Sequence, residues 1–249
     1  MKHSPLISII TVVFNGENAI GRTIESIVGQ SYKGIEYIII DGNSNDLTLE
    51  VIRQYEGVSM LISEPDTGLY DAMNKGLKTA TGDYVWFLNS GDQLYSHDTV
   101  EKIVGGLEGE PDIIYGGTMI IDENQLEIGD RRLKPPENLT WKSFRQGMVV
   151  CHQSLIVKRA LAPEYNLSYR LSADIDWAIR ASKKASLIHN TNLILSKFLE
   201  GGMTEHNIRA GLKERFRIMT RFYGFIPTVL RHFLFGIRLS NYYLKHRRI

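Results

Sequence analysis

The 249 residues contain a single cysteine, Cys151, which excludes an internal disulfide framework and any zinc site built from several thiolates. The expected compartment is therefore reducing, the cytoplasm. Nothing beside Cys151 in the sequence suggests an activated thiolate, so it reads as a small buried residue. No signal peptide is expected, because Met1 to Pro5 runs straight into the apolar stretch Leu6 to Val13 without a cationic region and cleavage site. A spanning helix is not expected in the C-terminal segment either. Its longest uncharged run, Phe222 to Leu230, is far shorter than the roughly 20 residues a span requires. Gly-x-Gly-x-x-Gly after the first strand and Gly-x-x-x-x-Gly-Lys-Ser/Thr are both missing, so dinucleotide and P-loop readings lose their main support. Repeats and low-complexity segments are absent too.

What is present is a core-forming composition, 43% apolar, in an α/β pattern. Leu6 to Val13, Ile35 to Ile40, Val58 to Ile62 and Tyr84 to Leu88 read as strands, and Leu155 to Val157 as another. Helical spacing of Ile20, Ile24 and Ile27 places a helix over Ala19 to Val28. A second helix, Leu47 to Tyr55, has Asn45 or Asp46 as its cap. Near-continuous apolar strands alternating with helices predict a mainly parallel sheet flanked by helices on both faces. Ligands of such sheets bind beyond the carboxyl ends of the strands.

The formal net charge of +1 hides an asymmetry. Residues 209–249 carry ten Lys or Arg against one acid, Glu214, so this segment stands at +9 and the first 208 residues at −8. Apolar side chains from Phe216 to Leu239 are interleaved with Arg215, Arg217, Arg221, Arg231 and Arg238. This segment is expected to form basic amphipathic helices lying in an anionic membrane interface. The plainer alternative is a basic helix pair packed on its own domain. Nucleic acid is not an expected partner, since no nucleic-acid motif accompanies the charge.

Four motifs occur in order: Thr11-Val12-Val13-Phe14-Asn15; Ile38-Ile39-Ile40-Asp41-Gly42-Asn43-Ser44-Asn45-Asp46; Tyr70-Asp71-Ala72-Met73-Asn74-Lys75-Gly76; and Phe87-Leu88-Asn89-Ser90-Gly91-Asp92. Together they resemble the family 2 inverting glycosyltransferases, and most closely the bacterial subgroup that builds O-antigen, colanic acid and related surface polysaccharides. The resemblance covers about residues 6–205 and implies a GT-A, Rossmann-like fold. Residues 1–208 form the expected catalytic domain, 1–105 its nucleotide-sugar half and 106–208 its acceptor half, followed by the basic segment 209–249.

Sugar transfer requires a base pocket, a counter-charge for the departing diphosphate and a group that takes the acceptor hydroxyl proton. Asp41, at the end of a strand, is placed to accept from a nucleobase imide N–H, though alone it reads as a turn residue. The resemblance assigns it to uracil or its equivalent, Phe14 to base stacking, and Asn15, Asp71, Lys75 and Asn89 to the donor, with Lys75 near phosphate. Four apart on a helix, Asp71 and Lys75 alone would be an ordinary ion pair. Asn89 to Asp92 departs from the family's Asp-x-Asp-Asp, leaving Asp92 as the expected ligand of Mg²⁺ or Mn²⁺. Asp174, in Arg170 to Arg180, resembles the family's base, with Asp176 in reserve; by its position Asp174 is also a helix cap. His152 and Gln153 are placed by resemblance near acceptor or phosphate, and Phe198 to His206 as a mobile loop.

The implied activity is inverting transfer from a nucleotide sugar, UDP-linked, to a polyprenyl-diphosphate-linked saccharide at the inner face of the cytoplasmic membrane. The alternatives are a catalytically impaired nucleotide-sugar-binding scaffold and a sugar nucleotidyltransferase.

Overall fold

A computed structural model describes residues 4–201 and 207–233 of the chain. Among these the strands are β1 Ile7–Val13, β2 Ile35–Asp41, β3 Met60–Ser63, β4 Tyr84–Phe87, β5 Gln93–Leu94, β6 Ile113–Ile121, β7 Glu127–Asp130, β8 Leu155–Lys158 and β9 Ile188–Leu199. The helices are α1 Ile20–Val28, α2 Thr48–Ile52, α3 Leu69–Thr79, α4 Thr99–Gly106, α5 Ala173–Lys184 and α6 Ile208–Tyr223, and a further helical stretch occupies 225–233.

The strands form one sheet in the order β3-β2-β1-β4-β8-β6-β9-β5, with β7 hydrogen-bonded to β6. All seven residues of β1 are buried, because a central strand has protein on both of its faces. Successive side chains alternate between two cores. Ile10, Val12, Ile38, Ile40, Val85 and Phe87 face one side with residues of α3, α5 and α6. Ile7, Ile9, Tyr37, Ile39 and Trp86 face the other with residues of α1, α2 and α4. Asp46 holds the start of α2 by accepting the Thr48 N–H at 3.0 Å, which is the expected cap.

The sheet is mixed, which corrects the expectation of a mainly parallel one. β3-β2, β2-β1, β1-β4 and β6-β9 run parallel, whereas β4-β8, β8-β6, β6-β7 and β5-β9 run antiparallel. The physical cause lies in the connections. A parallel crossover needs a long connection such as a helix, and the first half has one between each pair of strands. β6 and β7 are instead joined by a tight turn, and β7 and β8 by the irregular segment 131–154.

The basic C-terminal segment begins docked on the domain. Glu214 in α6 accepts the backbone N–H groups of Arg170, Leu171 and Ser172 at 2.9, 2.9 and 3.0 Å. Ile218 is fully buried, and Tyr223 stacks on Trp141 with ring centres 5.5 Å apart while its hydroxyl donates to the Trp141 carbonyl. Leu234, Phe235, Ile237, Arg238 and Leu239 lie outside the described residues, as do residues 202–206 of the expected mobile loop.

Candidate active site

The carboxyl ends of β1, β2 and β4 point to the same edge, and the loops that follow them are tied together. Asn15, in a left-handed conformation (φ 49°), donates its backbone N–H to Ser44 Oγ at 2.8 Å and accepts the Asn45 N–H on its Oδ1 at 3.0 Å. The Asn15 side-chain oxygen thus joins the first two loops. Asp41 is fully buried at the end of β2, where Ser63 Oγ donates to it at 2.7 Å and the Ser44 N–H at 3.1 Å. Phe14, just past the end of β1, is 63% exposed. Gly42 keeps this slot open: a Cβ there would lie 3.4 Å from the Phe14 ring and 2.5 Å from the Asp66 carboxylate. An exposed aromatic ring in the same loop cluster as a hydroxyl-lined carboxylate suits a planar, hydrogen-bonding ligand. Asp66, to which sequence reasoning gave no functional role, joins this slot; its signal is the turn-forming run Pro65-Asp66-Thr67-Gly68 before α3.

Asp71 and Lys75 sit on the exposed side of α3, each with a local partner. Asp71 accepts the Thr67 N–H at 2.9 Å, which holds its carboxyl below the usual range against the opposing effect of partial burial. Lys75 pairs with Glu64 at 2.9 Å and donates to the Pro65 carbonyl at 2.6 Å, so its ammonium is engaged by the turn that precedes the helix. The buried face of α3 carries residues that sequence reasoning had not given a role. Asn74 brackets the Tyr165 backbone, donating to its carbonyl at 3.0 Å and accepting its N–H at 2.6 Å. Tyr70 stacks on Tyr165, and Tyr165 on Trp177 of α5, with centroids 5.4 and 5.3 Å apart.

That stack brings Asp174 to the strand ends. Asp174 is half-buried in the first turn of α5, with the Tyr70 hydroxyl 3.4 Å from its Oδ1. Its charge bears on His152, whose pKa is pushed down by burial and drawn back up by Asp174. The neutral ring of His152 meets the Asn89 amide at 3.2 Å, so its Nε2 accepts from Asn89 Nδ2. Asp176, the reserve candidate, is fully buried and bonded to Arg180 at 2.7 Å. The structure therefore brings Asn89, His152, Tyr70 and Asp174 together and sets Asp176 apart.

At the end of β4, Asn89 Oδ1 and Ser90 Oγ are buried without a hydrogen-bond partner among the described residues. Such unpaired groups cost about 1–3 kcal/mol each unless a water or ligand meets them. Asp92 is used differently from the expectation. It is 4% exposed, accepts Gln153 Nε2 at 2.7 Å on one oxygen and the Leu199 N–H at 3.1 Å on the other, and burial pushes its pKa up to about 7. A divalent cation wants a fully ionised carboxylate facing the diphosphate. Asp92 faces inward, and among the described residues no three His, Cys, Asp or Glu side chains gather to hold a metal, so the residues present do not fit a cation held by Asp92. Cys151 is buried, donates to Gln153 Oε1 at 2.6 Å, and has its thiol pushed up to about 11 by burial.

Residues 8–163 match the family described as Glycosyl transferase family 2. An uncharacterized glycosyltransferase of Mycobacterium tuberculosis H37Rv is 31% identical over 255 residues, covering 99% of this chain and 93% of its own. A PGL/p-HBAD biosynthesis glycosyltransferase of Mycobacterium bovis BCG is 30% identical over 229 residues, covering 88% and 86%. Among solved structures, S. aureus TarS 1-349 in complex with UDP superposes with a TM-score of 0.70 at 19% identity, over 86% of this chain and 64% of that one. A mannosyltransferase from Pyrobaculum calidifontis in complex with GDP-Man and Mn2+ gives 0.65 at 14%, over 88% and 65%. At these identities the two structures establish a shared fold.

Proposed function

Because this chain belongs to glycosyl transferase family 2, and is a glycosyltransferase, we propose that it moves a sugar from a UDP-linked donor to a lipid-linked saccharide in bacterial surface polysaccharide assembly, with inversion at the anomeric carbon. The observation that carries this reading is the meeting of two halves: the Phe14–Asp41–Asp66 slot on the nucleotide side, and the half-buried Asp174 beside Tyr70 and His152. TarS structures with UDP and with UDP-GlcNAc support a uridine donor.

In this reading the nucleobase stacks on Phe14 and donates its imide N–H toward Asp41. The diphosphate lies over Asn89 and Ser90, whose unpartnered oxygens meet it through the Ser90 hydroxyl and the bridging water such polar groups hold. Asp174 takes the proton of the acceptor hydroxyl as that oxygen attacks the anomeric carbon and the nucleoside diphosphate departs from the opposite face. His152, kept neutral, orients the Asn89 amide. No step is routed through a metal ion.

The acceptor side is tied to the C-terminal segment. On the helical stretch 225–233, Phe225, Ile226, Val229, Leu230 and Phe233 are all exposed, at the i, i+1, i+4, i+5, i+8 spacing of one helix face. Arg231 lines a pocket with Tyr223 and Thr228 on the other side of this stretch, and Arg221 lies 3.7 Å from Asp176, so what faces outward is the apolar face, which suits insertion at a membrane surface where a polyprenyl-diphosphate-linked acceptor resides. No helix of the described residues is long and apolar enough to cross a membrane.

The inward Asp92 favours a second reading, a nucleotide-sugar-binding scaffold with impaired catalysis. One variant separates the two. Asp174→Asn is expected to lower transfer by about 10²–10⁴ while leaving UDP-sugar binding intact, the range a positioned base supplies. Wild-type protein that binds UDP-sugar yet transfers no faster than Asp174→Asn, across a set of lipid-linked acceptors, would establish the scaffold.

A further inference from the structure

A cleft of about 300 Å³ opens between the β6–β9 pair and the segment 131–135, on the acceptor side of the molecule. Three features set it apart from an ordinary surface groove. Its cation, Arg131, is half-buried and donates to the Met148 carbonyl at 3.2 Å, yet has no carboxylate partner among the described residues. Lys134 and Asp130, which also line the cleft, are bonded to each other at 2.8 Å and so offset one another.

Its opposite wall is a local distortion of β9. Tyr115 of β6 pairs with Asn190 but Gly117 pairs with Ile194, so β9 carries two extra residues across this step. Asn192, in the bulge, holds a left-handed conformation (φ 55°), and a Cβ at Gly116 would lie 2.5 Å from the Leu193 carbonyl oxygen, so only glycine lets the bulge press this close. Bulges re-aim side chains, and left-handed non-glycine residues cluster where a ligand is held. This one brings Asn190 and Asn192 into the lining beside apolar Leu133 and Leu193. Amides, apolar surface and one unmatched guanidinium make the chemistry of a sugar bearing an oxyanion.

The cleft also adjoins the segment that carries His152. Cys151 lines it and precedes His152 directly, and the charges of both Arg131 and Asp174 act on those two residues.

We propose that this cleft is the acceptor subsite, taking a saccharide that carries a phosphate or a carboxylate, with Arg131 binding the oxyanion and Asn192 a sugar hydroxyl. The proposal rests on the glycosyltransferase reading above and names the acceptor class for it.

The test uses the full chain saturated with UDP, so that the donor site is filled, and titrates glucose 1-phosphate, glucuronic acid and glucose by calorimetry. At least one oxyanion sugar is expected to bind ten-fold or more tightly than glucose, and which of the two wins identifies phosphate or carboxylate. Arg131→Gln is expected to remove that preference. Asn192→Asp, which keeps the size and tolerates the left-handed backbone, is expected to weaken the oxyanion sugar at least ten-fold by like-charge repulsion, with UDP affinity unchanged in both variants. Equal binding of the three sugars to UDP-saturated wild type, or equal oxyanion affinity in wild type and Asn192→Asp, overturns the proposal alone. Failure of UDP itself to bind overturns the donor reading and this proposal with it.

Discussion

Glu214 is the only acidic residue in the last 41, and its position makes a sharp prediction possible. Its carboxylate accepts three consecutive backbone N–H groups, from Arg170 to Ser172, immediately before the turn that carries Asp174. Hydrogen bonds to a charged group contribute about 1.5–3 kcal/mol net. The Arg170 bond is exposed and counts for little, while those from Leu171 and Ser172 are partly shielded. Taking those two near the lower end, Glu214→Ala should destabilise the protein by about 3 kcal/mol. In a chain of this size that lowers Tm by about 6–12 °C. Glu214→Gln keeps one acceptor oxygen without the charge and should fall between. Since the freed backbone leads straight into α5, kcat should drop while KM for the nucleotide sugar stays near wild type. Thermal unfolding and a kcat-against-KM comparison check both halves. A Glu214→Ala protein that melts within 2 °C of wild type with the same kcat would show that these bonds neither stabilise the fold nor place Asp174.

Other expectations follow from the same site. Because burial raises the Asp92 pKa to about 7, the folded state keeps a proton that the unfolded chain releases near pH 4, and stability falls as pH rises between those values, by up to about 1.4 kcal/mol per unit. The difference in unfolding free energy between wild type and Asp92→Asn should therefore shrink or change sign from pH 4.5 to 7; a difference that stays constant refutes this use of Asp92. Asp41→Asn should weaken UDP binding about ten- to a hundred-fold, about 1.4–2.7 kcal/mol by calorimetry, and an unchanged affinity would remove Asp41 from the base pocket. Wild-type protein should sediment with anionic vesicles and much less with neutral ones, and Ile226→Glu should abolish this; a wild type that ignores anionic vesicles would refute the interfacial reading of 225–233.

The parallel half of the fold was legible because a strand buried on both faces leaves a local signature. Ile7 to Val13, Ile35 to Asp41 and Tyr84 to Phe87 match their expected spans to within a residue. In the second half β8 was legible as Leu155 to Val157, but β6 contains Gly116 and Gly117 and β9 is largely polar and half-exposed from Ile188 to Leu193, so neither shows a clean period. Strand direction is likewise set by connections rather than by composition. Asp41, Asn89 and Asp174 stood out in the sequence through the motifs that carry the family resemblance, since alone Asp41 reads as a turn residue and Asp174 as a helix cap. The inward turn of Asp92, the clasp of Glu214 on residues 42–44 positions away and the bridge from Asn74 to Tyr165 depend on partners distant along the chain, which no local pattern records. The basic segment was read as one electrostatic unit. In the structure α6 packs on the domain, and the exposed apolar face belongs to 225–233.

The bridge from Asn74 to Tyr165 has a thermodynamic corollary. One amide satisfies both backbone polar groups of a residue 91 positions away, joining the helix that carries Asp71 and Lys75 to the segment that leads to Asp174. On the proposed function, a shift of α3 on donor binding would be carried to α5, and a shift of α5 on acceptor binding would be carried back. Linkage makes such effects equal: the factor by which donor changes acceptor affinity is the factor by which acceptor changes donor affinity. Severing the bridge should leave two binding sites that no longer sense each other.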